Sequence, residues 1–477
     1  NRFDTPPWLP LYKRQSRDGP FWDRTAPIAH MDAIRVPMYL IGGLLDGYRD
    51  SVPRMLERAK APVKGMMGPW AHSWPNEAYP EPSIEWRHEA VRWFDHWLKG
   101  QATGIMEEPR FAVYVRNWHE PRTDLEAVPG KWRWEDGWPI ERIRTRTLYP
   151  HANRNLGDSA PVGEAQTHTL EYVPASGIEV GGPVMWWGDP TPDQRPSDAF
   201  ALVYETEPLT EEVEILGFPT ARLNVSSSAP TANWFARLSD VAPGGAVTLV
   251  AGAGLNGAHR ESARDPKPLP PGAEVSLDIE MHFTSWVFPA GHRIRLAVSN
   301  AQWPMIWPSP GAMTTILRLG GREPTRIELP VVPHAERPVP VFLPPAADPV
   351  LAGYEPLEAE STSSGYGEIT SIQRFPADRR TRVVAETEDG SRYPWGIARS
   401  TESIVHETTD EHPEATSVTG EYTRVVELPG RILRWEGSAR FESDAAHFYY
   451  TFTRRLFQDG KLLRERSWTD KMPRDHQ

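Results

Sequence analysis

The chain has 477 residues, of which 24% are charged and 10% aromatic, and it contains 20 Trp, 49 Pro and no Cys. This length predicts two or three folded domains, and the lack of Cys excludes disulfides, thiolate chemistry and Cys-ligated metals. A net charge of −12 without a dense Lys/Arg cluster argues against nucleic acid and anionic membranes as partners, and no apolar run reaches membrane-spanning length.

The first 34 residues are rich in Pro and Trp and show little periodicity. The opening sequence, NRFDTPPWLP, does not have the pattern of a signal peptide. The lack of Cys fits a cytoplasmic location without requiring one.

Residues 36–74 predict one βαβ unit. Two short apolar runs, Met38–Ile41 and Val63–Met67, are bounded by Pro or Gly, which is typical of buried parallel strands, although Lys64 and Gly65 weaken the second run. Between the two runs, residues 51–60 carry apolar side chains at helical spacing.

A polar residue with catalytic potential follows each predicted strand: Asp46 the first and His72 the second. In an open α/β sheet, side chains beyond the carboxyl ends of the strands converge on the ligand crevice. An Asp followed by a His matches the last two members of the chain order Ser, Asp, His. In such a triad the carboxylate holds the imidazole in one tautomer, and the imidazole accepts the proton of the nucleophile.

A second acid, Asp50, lies four residues after Asp46 and could orient the histidine instead. It directly precedes the predicted helix at Ser51, where an Asp is typical of an N-terminal cap or a partner of the helix dipole. We therefore predict that Asp46 is the orienting acid.

A longer helix is predicted from Ser83 to Lys99, ending at Gly100. Its predicted apolar face consists of Ile84, Val91, Phe94, Trp97 and Leu98, broadened by Trp93. His88 and His96 lie in this helix and are interpreted as surface positions. Because neither belongs to an HExxH pattern, no metal site is predicted.

The pattern changes at residue 110, where one predicted strand, Phe111–Val115, is followed by a Trp-dense loop. From Thr147 to Pro344, short alternating strands recur between Gly and Pro residues, which predicts an antiparallel sandwich or jelly roll. Asp240 and His292 flank strands in this region and are interpreted as structural. Trp303 and Trp307 either contact the α/β part or belong to the internal core.

Residues 337–353 are Pro-rich and predict a connection between domains. The remaining residues, 354–477, predict strand pairs around two Asp-Gly turns, Asp389-Gly390 and Asp459-Gly460. The alternation of charged and apolar residues indicates a curved antiparallel sheet, which either covers another domain or forms part of a homo-oligomer contact.

Several of these segments resemble the CocE/NonD hydrolases, the group of cocaine esterases, α-amino-acid ester hydrolases and X-Pro dipeptidyl peptidases. The resemblance is carried by VPMYLIGGLLDGY, MMGPWAHSW, LSDVAPGG, GHRIRLAVSNAQWPMIWPSP and IELPVV, and it covers residues 20 to about 335. It implies the roles of triad acid for Asp46 and triad base for His72. It also implies that Phe21 and Trp22 line the acyl pocket, although buried anchoring is the more common role of such aromatics.

The nucleophile of the family lies on an upstream G-x-S-x-G turn, and this motif is absent from the 477 residues. One interpretation is therefore the downstream part of a serine acyl hydrolase for esters or amides, inactive by itself, with its Ser on a separate or missing upstream segment. The alternative is a non-catalytic β-sandwich binding protein with a residual α/β piece. A single βαβ unit with an open sheet edge is a poor independent structure, which favours the first interpretation.

The predicted fold class is α/β plus all-β. Residues 1–108 are expected to form the C-terminal portion of an α/β-hydrolase domain, residues 109–345 a jelly-roll β-sandwich, and residues 354–477 a further antiparallel β region. The expected partners are a small ester or amide substrate and the upstream segment that carries the Ser. No cofactor and no metal are predicted.

Overall fold

The computed structural model describes residues 2–181, 188, 190–357 and 368–477. Most of the strands pair in antiparallel β-sheets, and one parallel α/β unit lies near the start of the described chain. Within these ranges, no helix is long and apolar enough to cross a membrane.

The described ranges contain five α-helices: α1 (Trp8–Arg14), α2 (Pro20–Thr25), α3 (Ser51–Arg58), α4 (Trp86–Lys99) and α5 (Arg195–Asp198). Helices α3 and α4 match the two helices that the sequence predicts, although α4 begins at Trp86 rather than Ser83, whereas α1, α2 and α5 were not predicted. Short 3₁₀ segments lie at Arg2–Asp4, Pro27–Ala33, Pro75–Glu77, Ile178–Gly181, Gly257–His259, Pro376–Asp378 and Pro413–Ala415. Helix α4 ends, as predicted, at Gly100, whose φ of +68° is the left-handed conformation that glycine adopts at low cost.

The first sheet contains the predicted βαβ unit. Its strands, in spatial order, are β1 (Met38–Gly43), β2 (Val63–Gly68), β3 (Phe111–Arg116) and β4 (Gly130–Glu135). The first three strands run parallel and β4 is antiparallel to β3. Strand β3 therefore belongs to the α/β sheet, although it lies beyond residue 108, where the sequence pattern places the end of that domain. Strand β1 is the edge strand and is half-buried, whereas β2 is fully buried.

The two residues that weaken the strand prediction for β2 have specific partners. Lys64 is buried, and its ammonium group donates to Glu108 Oε2 and to the Ile105 carbonyl, each at 2.7 Å. At Gly65, a Cβ would lie 2.5 Å from Leu56 Cδ1, so the glycine allows α3 to pack closely on the sheet. The departures from an apolar pattern thus serve ion pairing and helix packing.

The two faces of this sheet have different neighbours. Helix α3 and residues of the sandwich cover one face, and the start of α4 together with Phe342 of the Pro-rich connection covers the other. Of the predicted apolar face of α4, Trp93 is buried, whereas Val91, Phe94 and Leu98 are 56%, 55% and 77% exposed. Most of that apolar face therefore has no cover within the described chain.

The sandwich follows from residue 144. Its strands are β5 (Arg144–Pro150), β6 (Leu156–Gly157), β7 (Thr167–Glu171), β8 (Leu202–Glu205), β9 (Val213–Gly217), β10 (Thr220–Ser227), β11 (Asn233–Val241), β12 (Val247–Asn256), β13 (Val275–Glu280), β14 (Thr284–Phe288), β15 (Arg293–Ser299), β16 (Thr314–Arg318) and β17 (Arg326–Val331). One sheet has the order β12-β11-β15-β8. The other has the order β14-β9-β17-β10-β16-β7, with β13 paired to β10 and β5 to β17. A single apolar core fills the space between them.

A buried polar cluster joins the two sheets. Asp240 is fully buried, and its two carboxylate oxygens accept from His292 Nδ1 at 2.7 Å and from Trp286 Nε1 at 2.8 Å. Both acceptor atoms therefore have partners inside the core, which agrees with the structural role interpreted from the sequence.

The C-terminal region forms one long antiparallel sheet. Its strands are β18 (Glu355–Pro356), β19 (Glu368–Phe375), β20 (Arg380–Tyr393), β21 (Gly396–Thr409), β22 (Ser417–Leu428), β23 (Arg431–Ser443), β24 (His447–Gln458) and β25 (Lys461–Pro473). The order is β18-β20-β21-β22-β23-β24-β25, with β19 beside β20. Trp307 packs against Phe441 and Phe448, and Trp303 belongs to a cluster with Val383, so the sheet covers part of the sandwich.

One of the two predicted Asp-Gly turns is correct. Asp459 and Gly460 connect β24 to β25 with φ values of +49° and +80°, as a two-residue hairpin requires. The prediction at Asp389-Gly390 is wrong. Both residues are paired within β20, where Asp389 accepts from Ser400 Oγ at 2.6 Å, and the chain turns later, at residues 394–395.

The two ends of the chain contact each other. Phe3 is buried and its ring lies 5.5 Å from that of Trp435 in β23. Asp4 pairs with Arg464 and Arg466 of β25. Further along, Arg14 pairs with Asp470 and Arg17 pairs with Asp475. The C-terminal sheet thus holds the segment that leads into the α/β unit.

Candidate active site

The candidate site lies where β1 and β2 end. Asp46 follows β1 and His72 follows β2, and the two strands are parallel neighbours. The Nδ1 atom of His72 lies 2.9 Å from Asp46 Oδ2, as predicted from the order of the residues in the chain. The imidazole side chain is 43% exposed and the carboxylate 16%, so the base faces outward and the acid lies behind it.

The loops after the two strands are packed directly on each other. The amide of Leu45 donates to the carbonyl of Trp70 at 2.9 Å. At Gly43 a Cβ would lie 2.1 Å from that same carbonyl, so only glycine permits this approach. Gly43, the second glycine of the GG pair, therefore allows the loop carrying the acid to pack against the loop carrying the base.

One backbone contact and the imidazole hold the carboxylate of Asp46. Asp46 Oδ1 accepts from the Tyr48 amide at 2.9 Å, while Oδ2 faces the imidazole. With Nδ1–H donating to Asp46, the proton-accepting nitrogen of a neutral His72 is Nε2. This arrangement can orient a general base, which is what serine acyl transfer requires.

The candidate acid that was set aside, Asp50, has a different set of partners. It lies at the N-cap position of α3 but does not cap the helix with its side chain. Its Oδ2 instead lies 2.9 Å from His282 Nδ1, and its Oδ1 accepts from the Phe283 amide at 2.8 Å. Burial raises the pKa of Asp50, but His282 and the Phe283 amide outweigh it, so the pKa lies below its usual value. Asp50 therefore ties α3 to the sandwich.

A cleft of about 270 Å³ opens beside the pair. It is lined by Ile41, Gly42, Gly43, Asp46, Trp70, Ala71, His72, Ser73, Trp74, Pro75 and Trp86. A larger cleft of about 750 Å³ lies on the sandwich, with Arg146, Glu211 and His334 among its lining residues, and contains neither Asp46 nor His72. The smaller cleft is therefore the one that contains Asp46 and His72.

Phe21 and Trp22 do not line this cleft. They lie in α2, where they pack on each other and on Tyr12, and Trp22 Nε1 donates to the Gln15 carbonyl at 2.8 Å. Their assignment to the acyl pocket stays a prediction. The aromatic residues that do line the cleft, Trp70, Trp74 and Trp86, were missed as site residues. The signal in the sequence was that Trp70 and Trp74 each lie two residues from His72, whereas Trp86 reaches the site only through the fold.

The two other histidines that the sequence offers in this region lie in α4, where His88 is exposed and His96 is half-buried. Across the described ranges, no group of three or more His, Asp or Glu is placed to hold a metal ion. The ionisable side chains that line the cleft are the Asp46 carboxylate and the His72 imidazole.

Two family matches cover most of the first 353 residues. Residues 103–353 match the C-terminal non-catalytic domain of X-Pro dipeptidyl-peptidases, and residues 2–74 match the X-Pro dipeptidyl-peptidase S15 family. The second match includes both Asp46 and His72. Residues 354–477 lie outside both matches.

Individual relatives give a consistent picture. Over 309 residues the chain is 28% identical to the cocaine esterase of Rhodococcus sp. strain MB1 Bresler, covering 59% of this chain and 52% of the relative. The chain spans about half the length of the curated relatives it matches.

Solved structures share the fold. An α-amino acid ester hydrolase superposes with a TM-score of 0.57 at 24% identity, covering 68% of this chain and 60% of the other. An aminopeptidase from a marine sediment archaeon of the Thaumarchaeota gives a TM-score of 0.57 at 23% identity, with the same coverage.

Proposed function

We propose that this chain supplies the acid and the base of a serine acyl hydrolase. The proposal starts from its family, because the chain belongs to the CocE/NonD hydrolases, which include the X-Pro dipeptidyl-peptidases. The reaction is hydrolysis of an ester or amide bond in a small molecule. The observation that carries the proposal is the 2.9 Å contact between Asp46 and His72 at the carboxyl ends of neighbouring parallel strands.

In the proposed mechanism, His72 Nε2 takes the proton of a serine hydroxyl as its Oγ attacks the substrate carbonyl. The same nitrogen then protonates the leaving alcohol or amine. Water, deprotonated by His72, releases the acid product and regenerates the serine. Asp46 keeps Nδ1 protonated and stabilises the imidazolium that forms in each step.

We propose that the serine lies on a segment outside these 477 residues. The chain has no G-x-S-x-G motif, and it spans about half the length of its curated relatives. The edge of β1 and the exposed apolar face of α4 offer a place for further parallel strands and a covering helix. Such a segment would bring its nucleophile to the carboxyl end of β1, next to His72.

The test is reconstitution. The chain is purified alone and together with a segment bearing G-x-S-x-G. This segment is taken from the upstream reading frame of the chain or from a polypeptide found with it in the cell. Hydrolysis of p-nitrophenyl acetate is then measured for both samples. We expect turnover only in the mixture, and its loss in His72→Ala but not in the control His412→Ala, an exposed histidine of the C-terminal region. Equal turnover by the wild type and His72→Ala would contradict the proposal, and a mixture with no turnover would favour a binding function.

A further inference from the structure

We infer that the Pro-rich connection positions the candidate base. Its residues 342–348, called the strap below, lie against the loop that carries His72 and against the start of α4, and Asp348 is the positioning residue. The inference rests on the proposed function and deepens it. It gives a role at the same site to a segment that lies within the match to a non-catalytic domain.

The loop that carries His72 is closed at its base. The Ala71 amide donates to the Tyr79 carbonyl at 2.8 Å, and the Tyr79 amide donates to Ser73 Oγ at 3.2 Å. These contacts make residues 71–79 a compact loop with His72 near its start. A displacement of the tip of this loop therefore carries the imidazole with it.

The tip of the loop is held from outside by Asn76. Its Nδ2 donates to Asp348 Oδ2 at 3.2 Å, and its Oδ1 accepts from Trp86 Nε1 at 2.8 Å. The ring of Trp86 is in turn stacked on that of Trp74, with centroids 5.1 Å apart. The amide of Asn76 thus joins the strap, the start of α4 and the loop that carries the base.

The strap is fixed on the start of α4 by a set of polar contacts. The Glu85 amide donates to the Leu343 carbonyl at 2.9 Å, and the Ala346 amide donates to Glu85 Oε2 at 2.8 Å. Arg87 donates to the Ala346 carbonyl at 3.1 Å and pairs with both Glu85 and Asp348. The Arg87 guanidinium and the Ala346 amide lower the pKa of Glu85 to about 2, so this carboxylate is charged at neutral pH.

The strap is also anchored and stiff. At its start, the ring of Phe342 lies 4.9 Å from that of Trp132 in β4, in the apolar cluster that covers one face of the α/β sheet. Pro344 and Pro345 lie within the strap and Pro349 directly follows it, which limits its backbone freedom. A surface polar contact contributes little by itself, but an anchored, stiff segment loses little entropy when it holds one.

Amide hydrogen exchange and the ¹⁵N shifts of the His72 imidazole test the inference on the chain alone. In Asp348→Ala we expect exchange in residues 73–78 to rise about tenfold while β2 is unchanged, and the fraction of His72 with its proton on Nδ1 to fall. Asn76→Ala should have the same effects, and the double variant should add little, because both changes break one contact. The matched control is Glu355→Ala, which removes an exposed acid paired with Arg392 at 3.1 Å and should change neither readout.

The reconstituted enzyme provides the kinetic readout. Asp348→Ala should lower kcat roughly tenfold with little change in KM or Tm, because a misplaced base slows the reaction without weakening binding. Asp348→Asn keeps an acceptor for Asn76 and should recover part of kcat.

Unchanged loop exchange and an unchanged His72 tautomer in Asp348→Ala, or equal effects in Glu355→Ala, would overturn the inference. Because these two readouts need no nucleophile, they decide on the strap even where no mixture hydrolyses an ester. Hydrolysis with an unchanged kcat in Asp348→Ala would overturn the positioning role and leave the proposed function intact.

Discussion

At the scale of single residues, two aspartates four positions apart have separate tasks. Asp46 accepts from the Tyr48 amide and faces His72, whereas Asp50 accepts from the Phe283 amide and faces His282. The sequence supported the choice of Asp46, because it follows the GG turn at a strand end. It gave no sign of the partner of Asp50, since His282 is more than 200 residues away in the chain.

The two acids should therefore respond differently to removal of charge. Asp46→Asn in the reconstituted enzyme is expected to lower kcat by roughly 10⁴, because the amide favours the wrong imidazole tautomer. Asp50→Asn should leave most of the activity and destabilise the fold by about 1–3 kcal/mol, because it weakens a partly buried contact. Ester hydrolysis and thermal unfolding are measured on both variants. If Asp50→Asn lowered kcat more than Asp46→Asn, Asp50 rather than Asp46 would be the orienting acid.

A half-buried histidine makes a separate prediction about pH. His406 packs near Trp303 at the contact between the C-terminal sheet and the sandwich, and burial lowers its pKa to about 4. In the unfolded chain, His406 has the ordinary histidine pKa of about 6.5, so the unfolded state binds the proton at a higher pH than the folded state does. The stability of the fold therefore falls as the pH drops from about 6.5 to 4. The full effect is about 3 kcal/mol.

Thermal unfolding between pH 7 and pH 4 measures the contribution of His406 to the pH dependence of stability. His406→Gln should show a shallower loss of Tm than the wild type, while the exposed His412→Gln should follow the wild type. Part of the slope should remain in His406→Gln, because burial also lowers the pKa of His119 to about 4. An unchanged slope in His406→Gln would contradict the assignment.

At the scale of elements, the sequence pattern predicted the βαβ unit, the end of α4 and the hairpin at Asp459-Gly460. It could not say which neighbour covers a given apolar face. The apolar stripe of α4 predicted burial, yet Phe94 and Leu98 are exposed, because periodicity reports a face but not its partner. Asp389-Gly390 has turn chemistry, but the pairing of β20 with β21 continues past it.

The exposed face of α4 makes a prediction that separates docking from folding. Phe94→Lys should leave the Tm of the isolated chain nearly unchanged, since the side chain is 55% exposed, but should weaken association with the upstream segment at least tenfold. Analytical ultracentrifugation or titration calorimetry measures the affinity. Trp93→Ala is the contrasting variant, because Trp93 is buried and its loss should lower Tm. Undiminished affinity in Phe94→Lys would place the docking surface elsewhere.

At the scale of the whole molecule, the C-terminal sheet joins the two ends of the chain. It lies outside both family matches, covers part of the sandwich and holds residues 3–17 through Phe3 and several ion pairs. The individual ion pairs are partly exposed and contribute little, so the buried ring of Phe3 should dominate this attachment.

Phe3→Ala should therefore release the N-terminal segment. We expect amide hydrogen exchange in residues 2–17 to rise at least tenfold, while exchange in β24 changes little, because the sheet keeps its own ladder. Trp8→Ala, which removes a side chain that is 67% exposed, is the matched control and should leave the exchange unchanged. Equal exchange in the wild type and Phe3→Ala would show that the ion pairs alone hold the N-terminal segment on the sheet.

We propose above that this chain supplies Asp46 and His72 to a serine located on another segment. The most direct measurement is labelling with a fluorophosphonate, followed by mass spectrometry of the labelled peptide. We predict no labelled serine in the 477-residue chain alone. In the reconstituted mixture we predict one labelled serine on the upstream segment, and loss of that label in His72→Ala. A specific label on a serine of this chain, made by itself, would contradict the proposal that the nucleophile lies on another segment.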